Sequence, residues 1–222
     1  MITIHHLNNS RSQRVLWLLE ELEQPYEIVK YERDPKTMLA PKSLQAIHPL
    51  GKSPVLVDGN ATLAESGAIL EYLIETCAKG RFVPPAGSPA ARDYRYFMHY
   101  AEGSLAPFLL LKLIFHRIKT SPMPFFVKPI ARKIADKVCG DFVDPNLTRH
   151  LAFLGDHLEK HPWFAGDDFT AADIQMSYPV ESAVARAKDL GVPPQLEAWV
   201  AKIHARAAFQ RALVKGGPYE LA

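Results

Sequence analysis

The first eighty residues alternate between two hydrophobic periodicities, one typical of strands and one typical of helices. The segments Ile2–Leu7 and Tyr26–Tyr31 are rich in β-branched and aromatic residues, which predicts two strands. Between them, apolar residues recur at helical spacing over residues 15–22, which predicts a helix. A strand–helix–strand unit of this length places the two strands parallel in one sheet.

The pattern continues with a helix, a hairpin and another helix. A looser helical pattern over residues 39–46 predicts a short helix. The turn sequence Asp58-Gly59-Asn60 separates residues 54–57 from residues 61–63, which predicts a β-hairpin. A further helix is predicted to begin at Glu65-Ser66. This order of elements is thioredoxin-like.

The rest of the chain predicts helices only. Prolines and glycines concentrate in residues 79–90, and we predict a linker at 81–90 between domains spanning 1–80 and 91–222. A long helical pattern over residues 90–117 contains Pro107, which should kink it. Thr170 and Asp173 form the sequence signature of a capping box at a helix start. Further helices are predicted over residues 127–142, 146–160, 171–190 and 195–204.

Composition narrows the classes of function. The 222 residues include 26 basic and 24 acidic residues without a basic block, so charge gives no support for nucleic-acid binding. Cys77 and Cys139 are far apart and outside any CxxC pattern, which disfavours a dithiol redox site and fits a reducing compartment. His5 and His6 point to opposite faces of a strand, so no metal site is expected. Without a signal peptide or membrane span in its pattern, the chain is expected to be cytoplasmic.

The loop between the first strand and the first helix is the first candidate site. It lies at the carboxyl edge of the sheet, where ligands bind in open α/β folds. A hydroxyl at Ser10, together with the N-terminus of the helix, is suited to stabilise a thiolate. Lowering a thiol pKa by about two units needs roughly 2.7 kcal/mol, within reach of these two effects. Alternatively, Ser10 and Ser12 only cap the helix.

Two other segments are candidates for binding a peptide-like ligand. A cis bond before Pro54 would expose the backbone of Ser53 for pairing with a peptide, although a proline of an edge strand is the alternative. At the next helix start, Glu65 and Ser66 are suited to an α-amino acid, the first binding its ammonium and the second its carboxylate. Ordinary helix capping is the alternative there.

The order and spacing of these segments resemble the N-terminal domain of the cytosolic glutathione transferases. The resemblance is strongest to the bacterial and fungal branch that includes the yeast-type enzymes, whose SRSxRVLWLLEEL and HPLGKSPVL segments stand here at residues 10–22 and 48–56. In the C-terminal half, residues 100–104 and the N-capping segment at 166–174 agree as well. The resemblance implies the glutathione transferase fold, with a thioredoxin-like α/β domain followed by an all-α domain.

It also implies a detoxification enzyme that activates the thiolate of glutathione, its co-substrate, without a metal. The second substrate would be a small hydrophobic electrophile or a peroxide, and the enzyme a homodimer. By the resemblance, Ser53 and Pro54 hold the cysteinyl backbone of glutathione, Glu65 and Ser66 hold its γ-glutamyl end, and Lys52 makes a polar contact to the tripeptide.

The resemblance further implies that Ser10 stabilises the thiolate, with Asn8, Asn9 or Ser12 as alternatives. Glu102 matches an acidic residue that reaches the glutathione ammonium of the partner subunit, with a surface or interface carboxylate as the alternative. Several residues of the helical half are candidates for the second-substrate pocket or, alternatively, for core and dimer contacts: Phe97, Tyr100, Ser104, Leu105, Phe108, His116, Phe125 and Phe126.

Other functions stay open on the sequence alone. A non-catalytic glutathione-binding scaffold is disfavoured because it has no need of Ser53, Pro54, Glu65 and Ser66 together. A glutathione-dependent peroxidase or thiol–disulfide reductase would need external thiols, since residues 8–14 contain no cysteine. The maleylacetoacetate-isomerase class typically has a Ser-Ser-Cys signature that this loop lacks.

Overall fold

A four-stranded mixed sheet forms the centre of the N-terminal half. The computed structural model of the chain describes residues 1–217 and 219. The sheet has the order β2-β1-β3-β4, with β1 parallel to β2 and antiparallel to β3. Its strands are β1 (Ile2–Leu7), β2 (Tyr26–Tyr31), β3 (Val55–Asp58) and β4 (Ala61–Ala64). The predicted parallel pair and the predicted hairpin are both confirmed.

Two helices belong to the sheet-containing half, and the described residues after it contain helices without further named strands. They are α1 (Ser12–Leu22), α2 (Ser66–Cys77), α3 (Pro89–Tyr100), α4 (Ala106–Thr120), α5 (Lys128–Val138), α6 (Asp144–Lys160), α7 (Ala171–Arg186), α8 (Pro194–His204) and α9 (Ala207–Gly216). The predicted fold class is confirmed. The domain boundaries 1–80, 81–90 and 91–222 stay a prediction, and residues 218 and 220–222 lie outside the described residues.

Three predicted helices differ from the structure. Residues 39–46 contain only a 3₁₀ turn, Lys42–Ala46, because Leu44 is its single buried residue and no apolar face forms. The long helix over residues 90–117 is interrupted by a π-helical turn, Ala101–Leu105, before α4 begins. Pro107 therefore lies in the first turn of α4, where its missing N–H costs nothing. The helix predicted to reach residue 190 ends at Arg186.

The helix α9 escaped the sequence analysis, although it packs directly on α1. The ring of Phe209 meets the ring of Trp17 edge-on at 5.1 Å. Arg211 and Lys215 form ion pairs with Glu20, which is almost fully buried. The signal for this helix was local, since Ala208, Phe209 and Ala212 recur at helical spacing and are its buried residues. At the linker, Ser88 caps α3, so the last two predicted linker residues are helical.

The capping box at the start of α7 is confirmed. Asp173 is fully buried and accepts hydrogen bonds from the backbone N–H groups of Phe164 and Thr170, each at 2.9 Å. The Thr170 hydroxyl oxygen accepts from the N–H of Ala172. This box fixes the first turn of α7, the helix that later contributes to the candidate site.

A buried arginine joins the two halves of the chain. Arg14 on α1 is 1% exposed, and its Nη1 donates to the carbonyl oxygen of Gln175 on α7 at 2.6 Å. Its Nη2 donates to Oε1 of Glu102 in the π-helical turn, also at 2.6 Å. Arg11 binds the other carboxylate oxygen at 3.0 Å. Burial lowers the pKa of Arg14, and the Glu102 charge opposes that shift.

Replacing Glu102 by alanine is expected to lower the free energy of unfolding by about 3 kcal/mol, because the buried Arg14 loses its counter-charge. Urea denaturation measures the change. The matched control is Glu32→Ala, which removes an exposed carboxylate that pairs with no described residue. An equal loss in both variants would show that the Arg14 pair does not hold the fold together.

Candidate functional site

A cleft of about 420 Å³ opens where β1 ends and α1 begins. The predicted residues Ser10, Lys52 and Ser53 all line it. Arg33, which follows β2, and Tyr178 on α7 line it as well. The cleft therefore lies at the carboxyl edge of the parallel pair, as the sequence predicted, but one wall comes from the helical half.

The Ser53 turn is fastened to the end of β1. The Ser53–Pro54 bond is cis, and β3 lies between β1 and β4, so the edge-strand alternative is wrong. The Ser53 hydroxyl donates to the carbonyl oxygen of His5 at 2.8 Å and accepts from the N–H of Leu7 at 3.1 Å. Because the hydroxyl already makes two hydrogen bonds within the protein, the backbone of Ser53 is the part available to a ligand.

The residue before Lys52 has to be glycine. Gly51 has φ +57°, and a Cβ there would lie 2.5 Å from Cγ of Gln45. A side chain at this position would meet both backbone strain and a steric clash. The tight turn leaves the exposed side chain of Lys52 at the mouth of the cleft.

The start of α2 emerges beside the Ser53 turn, because Val55 pairs with Ala64 in the hairpin. Glu65 has φ +73°, an uncommon conformation for a residue with a side chain. Neither Glu65 nor Ser66 makes a side-chain hydrogen bond or ion pair with any described residue. The capping alternative therefore has no support, and the first N–H groups of α2 lack a side-chain cap.

A buried hydrogen-bond chain that the sequence analysis missed extends inward from Ser10. The hydroxyl oxygens of Ser10 and Ser12 lie 2.7 Å apart, and Ser12 Oγ lies 2.7 Å from Nδ1 of His6. The N–H of Ser12 also donates to Ser10 Oγ at 3.3 Å, which retains part of the capping alternative. The signal for this chain was the strand alternation, which turns His6 away from His5.

Burial and, after it, the charge of Lys30 lower the pKa of His6 to about 4, against a hydrogen bond to the Gly216 backbone that raises it. His6 is therefore neutral at physiological pH. The Ser12 hydroxyl also donates to the Leu7 carbonyl oxygen at 3.4 Å. The Ser10 hydroxyl is therefore hydrogen-bonded toward the interior through Ser12, and either oxygen can donate in that bond.

Two of the residues proposed for a second-substrate pocket line a separate groove. Tyr100 and Ser104 belong to a groove on α3 and the π-helical turn. The Tyr100 hydroxyl bonds to Nδ1 of His150, and the Phe108 ring packs against the same histidine. The cleft that contains Ser10 is lined by none of Tyr100, Ser104 and Phe108. The aromatic residue in its wall is Tyr178. Phe97 and Leu105 are core residues, which their alternative predicted.

Arg33 closes the cleft on the side of β2. Its guanidinium donates to the backbone carbonyls of Asn8, Asn9 and Met38 at 3.0–3.3 Å. Its place after the strand parallel to β1 is a signal that could have identified it, because both strands end at the same edge. Tyr178 had no such signal, since only the packing of α7 brings it there.

Within the part of the chain that the structure describes, no group of three or more potential metal ligands is found. Likewise, no described helix combines the length and apolar character that a membrane crossing requires.

Comparison with known proteins finds similarity to glutathione S-transferases over both halves of the chain. Family models described as "Glutathione S-transferase, N-terminal domain" and "Glutathione S-transferase, C-terminal domain" match residues 1–75 and 141–202. Glutathione S-transferase 3 of Schizosaccharomyces pombe is 37% identical over 82% of this chain and 74% of its own. Glutathione S-transferase 1 of Saccharomyces cerevisiae is 36% identical over 84% of this chain and 82% of its own. A disulfide-bond oxidoreductase of Escherichia coli is 26% identical over 97% of this chain and 95% of its own.

Solved structures agree with the fold. A glutathione S-transferase of Actinobacillus pleuropneumoniae superposes with a TM-score of 0.81 at 28% identity, covering 100% of this chain and 95% of that one. A glutathione transferase family member from Pseudomonas fluorescens with two bound glutathione molecules has a TM-score of 0.74 at 22% identity. The match covers 96% of this chain and 92% of that one. At that identity the likeness concerns the fold alone.

Protonation of His6 is expected to destabilise the fold. Its pKa is about 4 when folded and 6.5 ordinarily, so the unfolded chain gains the proton first as the pH falls. The free energy of unfolding should then fall between these pH values, by up to about 1.4 kcal/mol per pH unit. Urea denaturation across this range should show a shallower slope for His6→Gln than for wild type. The exposed His99→Gln should keep the wild-type slope, and an unchanged slope in His6→Gln would contradict the assignment.

Replacing Ser53 by alanine is expected to cost about 1 to 2 kcal/mol of stability, because the His5 carbonyl and the Leu7 N–H lose their shared partner. Thermal and urea unfolding measure this cost. Ser43→Ala, at an exposed position in the preceding 3₁₀ turn, is the matched control and should change stability little. Equal stability of both variants would mean that the hydroxyl does not fasten the turn.

Proposed function

The chain belongs to the glutathione S-transferase family, and from this premise we propose that it binds glutathione in the Ser10 cleft and transfers its sulfur to an electrophile. One observation carries the proposal. The loop at Ser10, the cis Ser53–Pro54 turn and the Glu65–Ser66 helix start all leave the same edge of the sheet. Each offers the chemistry that one part of a γ-glutamyl tripeptide requires.

The tripeptide would be held from two sides. Its cysteinyl backbone pairs with the backbone of Ser53, whose hydroxyl is already occupied, in the manner of an added strand. The γ-glutamyl carboxylate meets the Ser66 hydroxyl and the open N–H groups of α2, and the ammonium meets the unpaired Glu65. Lys52 at the mouth of the cleft is suited to a further polar contact.

The thiol would lie at Ser10. Turning the Ser10 proton from Ser12 Oγ to the sulfur exchanges a neutral hydrogen bond for a bond to an anion, which is the stronger of the two. The N-terminus of α1 and the Arg11 guanidinium, which also line this region, favour the thiolate over the thiol. The thiolate then forms a carbon–sulfur bond as the leaving group departs with its electron pair.

A second candidate is glutathione-dependent reduction of a disulfide or a peroxide, which the Escherichia coli relative favours by its name. No cysteine is among the described residues that line the cleft. Both thiols consumed by such a reaction would therefore come from glutathione. Turnover of cumene hydroperoxide against chlorodinitrobenzene separates the two reactions.

A cytoplasmic homodimer is part of the proposal, on the family resemblance. The expected contact of Glu102 with the partner's glutathione would have to share a carboxylate whose two oxygens already bind Arg14 and Arg11. A role of Glu102 in positioning α1 is the simpler account of its contacts.

The Ser10→Ala variant is expected to raise the thiol pKa of bound glutathione by about 0.7 unit, because the donor to the thiolate is lost. Turnover of chlorodinitrobenzene near neutral pH should fall about fivefold. Thiolate absorbance in the ultraviolet and steady-state kinetics measure the two effects.

The matched control is Ser12→Ala, which keeps the Ser10 hydroxyl and releases its proton from the chain toward His6. Its thiol pKa should stay at or below the wild-type value. Failure of wild type to bind glutathione at millimolar concentration would end the proposal. Binding with an unshifted thiol pKa would favour a scaffold, and full activity of Ser10→Ala would move the donor role to Asn8 or a backbone N–H.

A further inference from the structure

The helix α5 turns its largest apolar side chains away from the protein. Ile130 and Ile134 lie one turn apart on the same face and are 62% and 56% exposed. The helix packs on α4 through another face, where Ala135 is its one buried residue. A helix of a globular protein ordinarily buries its large apolar residues, so the outward isoleucines require an explanation.

An aromatic pair precedes this helix and is also exposed. Phe125 is 86% and Phe126 is 65% exposed, and their rings meet edge-on at 5.5 Å. Neither belongs to the hydrophobic core or packs against it. Neither lines the cleft that contains Ser10, so the structure does not support their expected place in a second-substrate pocket there.

The aromatic pair and the isoleucines form one stripe. The turn before α5 continues directly into the helix, because the N–H of Lys128 donates to the carbonyl oxygen of Pro124 at 3.2 Å. Phe126, Ile130 and Ile134 therefore recur at i, i+4 and i+8 along one face. We call these three side chains, together with Phe125, the α5 apolar surface.

Three cations lie beside the α5 apolar surface. Lys128, Arg132 and Lys133 line a surface hollow of about 540 Å³ together with Phe125. None of the three forms an ion pair with a described residue, and the carboxylate of the hollow, Asp136, is already bound by a lysine of α4. The hollow therefore presents positive charge next to an exposed aromatic ring.

The local charge differs from that of the whole chain. The net charge over 222 residues is +2, yet residues 112–137 contain seven lysines and arginines and one acidic residue, Asp136. These basic residues are interspersed with apolar ones, so they form a two-sided helical pattern and not a basic block. A basic face, an apolar face and exposed phenylalanines are together typical of helices that lie in the interface of a membrane.

We propose that α5 and the turn before it bind the surface of a membrane that contains anionic phospholipids. The lipid phosphates bind in the hollow between Lys128, Arg132 and Lys133 through charge-assisted hydrogen bonds. The α5 apolar surface enters the boundary between the headgroups and the acyl chains. A helix that lies parallel to the surface in this way does not have to cross the membrane.

A second copy of the chain is the alternative occupant of this face. In a symmetric dimer the same patch of both copies would meet, so Lys128, Arg132 and Lys133 would face the same three cations. Like charges opposed at an interface disfavour the contact. An anionic lipid surface provides both the complementary charge and an apolar layer, so it matches both parts of the face.

The proposed surface is separate from the cleft. No residue that lines the hollow also lines the cleft that contains Ser10. Membrane binding can therefore be measured without glutathione, and its failure would leave the transferase proposal untouched. Binding would bring the cleft close to apolar electrophiles, which dissolve in the lipid.

Cosedimentation of the full chain with phospholipid vesicles tests the proposal. Wild type should bind vesicles of phosphatidylcholine that contain phosphatidylserine, and bind vesicles of phosphatidylcholine alone much more weakly. Added salt should weaken the binding, because it screens the attraction between the basic residues and the headgroups.

Matched charge variants locate the binding face. Each basic residue near an anionic surface contributes roughly fivefold to the affinity, so removal of three should lower the partition coefficient about a hundredfold. The variant is Lys128→Gln with Arg132→Gln and Lys133→Gln. The control should retain most of the binding, since it removes three exposed and unpaired cations elsewhere: Lys79→Gln with Arg149→Gln and Lys160→Gln.

A new tryptophan tests whether the apolar surface enters the lipid. Trp17, Trp163 and Trp199 are buried, so an emission change in Phe126→Trp on vesicle binding comes from the new residue. Its emission should shift to the blue and be quenched by lipids with brominated acyl chains. The control is Val214→Trp, at an 84% exposed position on α9, which should show neither effect.

Several results would overturn the inference. They are absence of binding to anionic vesicles, equal binding to neutral ones, unchanged binding in the triple charge variant, and equal quenching at residues 126 and 214. A wild-type dimer that Phe125→Ser with Phe126→Ser converts to a monomer, without vesicle binding, would assign the face to a second copy. Unfolding midpoints of the variants should match wild type, because the replaced side chains are largely exposed.

Discussion

The position of the cleft depends on one buried ion pair. Arg14 has no access to water, and a guanidinium so placed is tolerated only with a counter-charge and occupied N–H groups. Glu102 and the Gln175 carbonyl satisfy it from two different elements of the helical half. The first turn of α1, and with it the loop at Ser10, is therefore fixed relative to α7. A cleft wall built jointly from the Ser10 loop and Tyr178 follows from that constraint.

The sheet supplies the second constraint through its register. Because Val55 pairs with both His5 and Ala64, the residues just before Val55 and just after Ala64 have to leave the sheet together. The hydroxyl of Ser53 then joins this corner to the end of β1. Strand pairing and the Ser53 hydroxyl therefore bring the segments before α1, before β3 and before α2 to one edge of the sheet. The proposed glutathione contacts therefore depend on the register of the sheet.

The features that the sequence predicted correctly are those set by residues close together in the chain. The strand β1, the turn at Asp58-Gly59 and the capping box at Thr170 depend on neighbours in the chain, and the structure has all of them. The errors arose where tertiary partners decide. Pro107, considered alone, predicts a kink, yet the helix is already interrupted before it. The packing of α9 on α1 joins segments from opposite ends of the described chain, which local spacing does not show. The aromatic spacing around Tyr100 also does not show which way its ring turns, and in the structure the ring packs against His150 of α6.

The same reasoning limits how much of thiol activation Ser10 can supply. Its hydroxyl is already hydrogen-bonded to Ser12 in a chain that ends at a neutral His6, so a new bond to sulfur yields only the difference between two hydrogen bonds. That difference is on the order of 1 kcal/mol, less than a two-unit pKa shift requires. The remainder has to come from the positive field at the cleft, where the N-terminus of α1 and the Arg33 guanidinium both favour an anion, whereas the charge of Arg11 is already paired with Glu102.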